Sequence, residues 1–145
     1  IEQNGKPEEV YLNPVSAAVA KLIGPCELIS GLYRDGLVET EAGIFPAREL
    51  TSDAVSEPKQ VLVLMRASEL EINAAKGTED RGGIIVLREF EGEFSEYTIR
   101  LDSGALIRVR RRAAEGLSKG QRVVIQTRNN LPLIVFPNVP DNCEI

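Results

Sequence analysis

Leu117-Ser118-Lys119-Gly120-Gln121 lies one residue from LSGGQ, a signature whose backbone amides and serine touch a nucleotide γ-phosphate at a helix N-terminus. The residues that follow, Val123-Val124-Ile125-Gln126, are β-branched and strand-like where that signature needs a helix. The segment therefore reads as a glycine turn leading into a strand. A GxxxxGK[ST] phosphate loop is missing from the sequence, so the chain has no such means of holding ATP. Arg108, Arg110, Arg111 and Arg112, with Arg100 nearby, form the one basic cluster. It could line a nucleic-acid groove or dock an acidic partner. Alternation of Arg108 and Arg110 with Ile107 and Val109, no interleaved aromatics and acidic neighbours such as Glu96, Asp102 and Glu115 favour a solvated strand face. Glu89, Glu91 and Glu93 share one parity and read as an exposed edge, with Glu96 beside them. None has the Asp/Asn/Gly loop spacing of a hard-cation site. The serines have no His or Lys partner in a recognisable arrangement, and histidine is absent, which removes the commonest base near neutral pH. Cys26 and Cys143 belong to no CxxC pair. Two free thiols are the simpler reading, with a Cys26–Cys143 disulfide as the alternative.

Chemistry of its own is thus not expected here, and the elements say more. The 145 residues are 43% hydrophobic, enough for a core in one domain or two small sub-barrels sharing a core. A net charge of −5 and 5% aromatics argue against a general polyanion binder. No apolar run reaches the roughly 18–20 residues that span a bilayer. The start, Ile1-Glu2-Gln3-Asn4-Gly5, lacks Met and reads as the interior of a longer polypeptide.

Pro7–Leu12 is predicted as a short helix, with Pro in the first turn and Glu8 and Glu9 at its positive end. Asn13-Pro14 repeats the start signal for a second helix with a Val15, Val19, Leu22, Ile23 stripe, ended by Gly24-Pro25. From Cys26 the period becomes two. Strands are expected at Glu27–Tyr33, Leu37–Thr40, Gly43–Ala47, Gln60–Arg66, Ile84–Phe90, Tyr97–Leu101, Ala105–Val109, Arg122–Thr127 and Leu131–Phe136. Arg34-Asp35-Gly36 and Asp102-Ser103-Gly104 make hairpin turns, Thr51–Lys59 a solvated loop and Lys76–Gly83 a polar one. Pro132 marks the last segment as an edge strand or a bulged one. The fold class expected is mainly β: an OB-type barrel of short antiparallel strands with added strands, behind N-terminal connector helices.

Ile1-Glu2-Gln3-Asn4-Gly5-Lys6-Pro7-Glu8-Glu9-Val10-Tyr11-Leu12-Asn13-Pro14 resembles the pattern I-Q-x-G-x-P-x-E-(I/V)-Y-x-x-P, and Val19–Gly24 resembles V-A-x-F-(I/L)-G. Both stand where the nucleotide-binding domain ends in import ATPases of the maltose, ferric-iron, sulfate and polyamine class. Val61–Leu70 is similar to the V-x-V-x-(I/V)-R-P-E-x-(I/L) segment of transport-associated OB (TOBE) domains, with Ala67 in place of Pro and the acidic position shifted to Glu69. Gly83-Ile84-Ile85, Phe90-Glu91-Gly92, Tyr97–Leu101 and Gly120–Val123 resemble further strands and turns of that family. Gly31–Pro46 resembles the ferric-iron subgroup, which puts ferric iron among the candidate solutes.

The resemblance implies residues 1–25 as connector from an absent nucleotide-binding domain and 26–145 as a regulatory and dimerisation β-barrel, with ATP and Mg in the absent domain and no cofactor here. Its implied partners are that domain, a second copy and membrane permease subunits, at the cytoplasmic side of the inner membrane and without nucleic acid. Val61, Val63, Met65, Leu133, Val135 and Phe136 are the expected partner contacts, because their two strands carry more apolar surface than one small barrel buries. The competing readings are a free-standing oxyanion binder using Ser118-Lys119-Gly120, or a nucleic-acid OB protein using Arg108–Arg112.

Overall fold

A computed structural model describes residues 7–14, 16–23, 26–49, 58–77, 81–112 and 117–137. Two short helices, α1 (Pro7–Leu12) and α2 (Ala17–Ile23), precede ten strands. A closed barrel contains β1 (Glu27–Arg34), β2 (Leu37–Thr40), β3 (Gly43–Glu49), β10 (Leu133–Pro137) and β4 (Lys59–Met65), in that order around it. The second unit is a five-stranded sheet, β5-β9-β6-β7-β8. It is made of β5 (Leu70–Ala74), β6 (Gly83–Glu91), β7 (Phe94–Leu101), β8 (Leu106–Arg112) and β9 (Arg122–Thr127). All of it is inserted between β4 and β10 of the first barrel. The expected OB-type, mainly β architecture is therefore present, with the added strands forming a whole second unit.

Both hairpins read from the turn residues are found. Asp35 and Gly36 take φ of 54° and 79°, the left-handed pair that a two-residue β1–β2 turn needs. The Leu101 N–H donates to Ala105 O at 2.8 Å across the β7–β8 turn. Leu117 is buried, Gly120 has φ of 92° and its N–H donates to Ile85 O at 2.7 Å, so Leu117–Gln121 is the turn before β9. The helix α2 starts at Ser16, whose Oγ accepts from Val19 N at 3.2 Å, and not at Asn13.

Two expectations need correcting, at the last strand and in the second helix. β10 is not an edge strand: it pairs parallel with β3 (Leu133↔Ala47) and antiparallel with β4 (Val135↔Val63), and Pro132 lies just outside it. Arg128–Asn130 carries the chain from one unit to the other, with Asn129 and Asn130 at φ of 54° and 59°. Leu22 is 83% exposed, so Val19 and Ala20 form the buried side of α2. Most of the loop 51–59, Val15 and Cys143 lie outside the described residues.

The long apolar strands are accounted for within one chain. Val61, Val63, Met65, Leu133 and Val135 fill the main core with Val38, Phe45 and the interior residues of the second unit. The opposite face of the same strands carries Leu64, Ile134 and Phe136, and these pack with Ala20 of α2 and with Leu28. A strand apolar on both faces here means barrel interior on one side and a helix on the other. None of the six residues expected at a partner contact offers a surface in this arrangement: all are buried in their own chain.

Gly82 is set against the backbone of β9, with φ of 118°, and any Cβ at this position would collide with Val123 O. Gly82→Ala should lower unfolding stability by about 2–3 kcal/mol in urea titration. Gly36→Ala, where nothing lies within 4 Å, should cost only about 1 kcal/mol for its left-handed backbone.

Candidate functional site: the junction of connector and barrels

The chain leaves the first barrel at Arg66 and re-enters it after Arg128; Arg128 ties the two crossings to each other, and Arg66 ties the departing one to α1. Arg66 is 4% exposed. Its guanidinium lies 3.9 Å from the Tyr11 ring centroid, donates to Tyr11 O at 2.5 Å and to Glu69 Oε2 at 3.3 Å. A buried cation is tolerated only with such partners. Here they tie α1, β4 and the 3-10 turn Ala67–Glu69 to one side chain. Arg128 donates to Ser68 O (3.0 Å), Leu70 O (3.1 Å) and Arg110 O (2.8 Å), and stands 3.7 Å from Glu71. Arg48 at the end of β3 adds donors to Asn13 Oδ1 and Leu12 O.

Between these anchors is a cleft of about 210 Å³ lined by Tyr11, Glu27, Arg66, Ser68, Glu96 and Arg108, with Arg110 at its side. The charges in it are matched: Arg108 is 3.4 Å from Glu27 and Arg110 is 3.6 Å from Glu96. Burial pushes the Glu27 carboxyl up. Arg108 pulls it back through its charge and its backbone N–H, and Glu96 pushes it up again. Burial likewise raises the Cys26 thiol, against the pull of Arg66, so it is a poor nucleophile at neutral pH.

The basic cluster resolves into paired cations. Arg108, Arg110 and Arg112 share one strand face and each meets a carboxylate, Arg112 with Glu93 at 3.1 Å. Ser118-Lys119-Gly120 is an exposed turn, its Ser118 N–H donating to Gln121 Oε1. Among the described residues no three His, Cys, Asp or Glu side chains are grouped to hold a metal, and no helix is long and apolar enough to cross a membrane. Sequence reasoning missed the junction. Its one legible signal was an arginine ending an otherwise apolar strand, a charge that has to find partners wherever it is buried.

Residues 63–130 match the family model of the TOBE domain. The match starts within β4, ends at Asn130, and encloses the inserted unit with both crossing arginines. The chain is similar to the spermidine/putrescine import ATP-binding protein PotA of Vibrio cholerae, with 28% identity over 115 residues covering 75% of this chain and 30% of that protein. It is similar to the putrescine transport ATP-binding protein PotG of Escherichia coli, with 29% identity over 126 residues, 81% of this chain and 33% of that one. PotA of Acetivibrio thermocellus shares 35% over 80 residues, 50% of this chain and 22% of its own. The chain thus spans about a third of the first two relatives. In fold it is similar to the cytoplasmic molybdate-binding protein ModG, with a TM-score of 0.56 at 15% identity, over 77% of this chain and 96% of that one.

Arg66→Ala should cost about 2–3 kcal/mol and selectively increase amide exchange in α1, because it removes the contacts that seat that helix. Because folding raises the pKa of Glu27, the folded chain holds that proton more tightly than the unfolded one. Its contribution therefore weakens stability as pH rises above the ordinary value of 4.5, and is neutral well below it. Urea midpoints measured through that window should fall less steeply with pH in Glu27→Gln.

Proposed function

We propose that this chain is the regulatory domain of the ATP-binding subunit of an ABC importer, and that the solute is a polyamine. The alignment carries the reading: it spans most of this chain and about a third of ATP-binding proteins named for spermidine and putrescine transport. The remainder of such a protein, including its ATP and Mg site, then precedes Ile1, and residues 1–25 connect it to the barrels. The seating of α1 on Arg66 and Arg48 supports that role, since a helix held where the chain leaves the first barrel can pass motion to it. No catalytic step is assigned to this chain. Its partners in this reading are its own nucleotide-binding domain, permease subunits and a second copy, at the cytoplasmic side of the inner membrane. The relatives' names favour polyamine over ferric iron.

The second copy needs contacts other than the six core residues. The outer face of β1–β3 supplies them: Leu32, Leu37 and Ile44 are 38%, 52% and 57% exposed around a shallow groove. Arg34 and Glu39 at its rim are paired within the chain, with Asp35 and Arg81, so the contact would be mainly apolar.

Two measurements test the reading. An antibody to this domain should detect a native polypeptide more than twice the 15.9 kDa of the chain, and a 15.9 kDa band defeats it. That full-length protein, reconstituted with its permease in proteoliposomes, should support ATP-dependent putrescine or spermidine uptake. Uptake of ferric iron instead would replace the solute and keep the class. In sedimentation, Leu37→Asp should convert a dimeric full-length protein to monomer if this face makes the contact.

A further inference from the structure

A second cleft lies where β3 of the first barrel meets β5 and β9 of the inserted unit, apart from the one beside Arg66. Its volume is about 540 Å³, against about 210 Å³ for the other, and falls within the roughly 300–1,000 Å³ usual for small-ligand pockets. The two units touch beside it: a Cβ on Gly43 would stand 3.6 Å from Ile125 O. Ile44 and Pro46 of β3 and Ile125 of β9 give the cleft its apolar surface.

The polar lining is almost uncharged. Gln126 and Thr127 end β9, and Asn129 and Asn130 follow on the crossing back to the first barrel. Gln126 Oε1 accepts from Asn73 Nδ2 at 3.3 Å, which orients that amide and leaves its own N–H donors unused. The Asn129 and Asn130 amides and the Thr127 hydroxyl make no side-chain hydrogen bond among the described residues. Both asparagines hold left-handed backbone, at φ of 54° and 59°, where a local bond from the side chain is the usual compensation. Neither makes one here. Arg128 beside them is fixed by three backbone carbonyls, so the amides stand on an anchored segment. Glu71 is the one charged side chain lining the cleft among the described residues, and it stands 3.7 Å from Arg128.

We propose that this cleft binds a small uncharged polyol, a sugar or sugar-like compound. Side-chain amides donate and accept at once, as each hydroxyl does, so Gln126, Asn129 and Asn130 complement a row of hydroxyls. An anion would find no unpaired cation in the lining among the described residues, and a cation no unpaired carboxylate. Ile44 and Pro46 offer contact to the C–H face of such a molecule. Because β3 belongs to one unit and β9 to the other, the bound compound holds the two in one orientation. The inference stands apart from the importer reading, because it rests on the lining of this cleft alone.

Titration of this chain with D-glucose, D-galactose, D-ribose and glycerol, followed by 15N NMR, tests it, with putrescine and sodium phosphate as charged controls. Saturable binding of at least one polyol is expected, with shifts centred on Gln126, Thr127, Asn129 and Asn130. Asn129→Gly and Asn130→Gly keep the left-handed backbone and remove the amide. Each should weaken that binding about fivefold with little change in the thermal midpoint. Should a Gly variant fail to fold, Gln126→Ala, at an exposed side chain, carries the same comparison. No saturable binding of any of the four polyols, shifts centred elsewhere, binding unchanged in the variants, or an equal response to putrescine or phosphate each overturns the proposal.

Discussion

The first barrel closes only when β10 slides between β3 and β4, and the rest of the fold is arranged around that slot. β10 must offer apolar side chains to the barrel interior and to α2 at once, which is why Leu133, Ile134, Val135 and Phe136 are buried in succession. Its prolines fall outside the stretch with a neighbour on each side, where a residue without an N–H has no place: Pro132 precedes the strand, and Pro137 at its end pairs with Val61 of β4 beyond the last pairing to β3. Pro46 in β3 is accommodated by the same logic. It pairs with Leu37 of β2, and β10 joins β3 only from Ala47 onward.

Because the closing strand comes last in the chain, everything between β4 and β10 is an excursion, and its two crossings must be brought together. Arg128 does this with charge-assisted bonds to the Ser68 and Leu70 carbonyls, which hydrophobic packing would have left unpaired, while Arg66 bonds the Tyr11 carbonyl of the connector. The cleft beside them takes its matched charges from three sources: β1 with Glu27, β7 with Glu96 and β8 with Arg108 and Arg110. A side chain from the connector, Tyr11, completes it. Residues far apart in sequence meet there only because the inserted unit folds back against the first barrel.

Local chemistry made much of this legible. Asp35-Gly36 and Asp102-Ser103-Gly104 specify their turns through backbone preference alone, and Pro7 with Glu8 and Glu9 specifies α1. The turn at Leu117–Gln121 was separable from a nucleotide signature by the β-branched residues after it. What local pattern could not supply was partnership. An apolar strand such as β4 announces that both faces are covered but not by what, so α2 and a second copy of the chain read alike. β5, with Glu71 and Asn73 between its apolar residues, is too short and too polar to stand out. The β6 bulge, a register shift against β7 between Ile85 and Leu87, was hidden for a related reason: alternation counted along Leu87–Glu91 gives the carboxylates one face, yet only the register against β7 tells which face that is.

The adjacency of the two crossings has a consequence for how such a chain can change over generations. Arg128 on the returning segment bonds Ser68 and Leu70 on the departing one, so the inserted unit begins and ends at the same place. A genetic event that lengthened, exchanged or removed that block would leave the spacing of β4 and β10 undisturbed. The first barrel is in this sense a socket with a fixed opening, and the second unit is a cassette that can diverge in its own right.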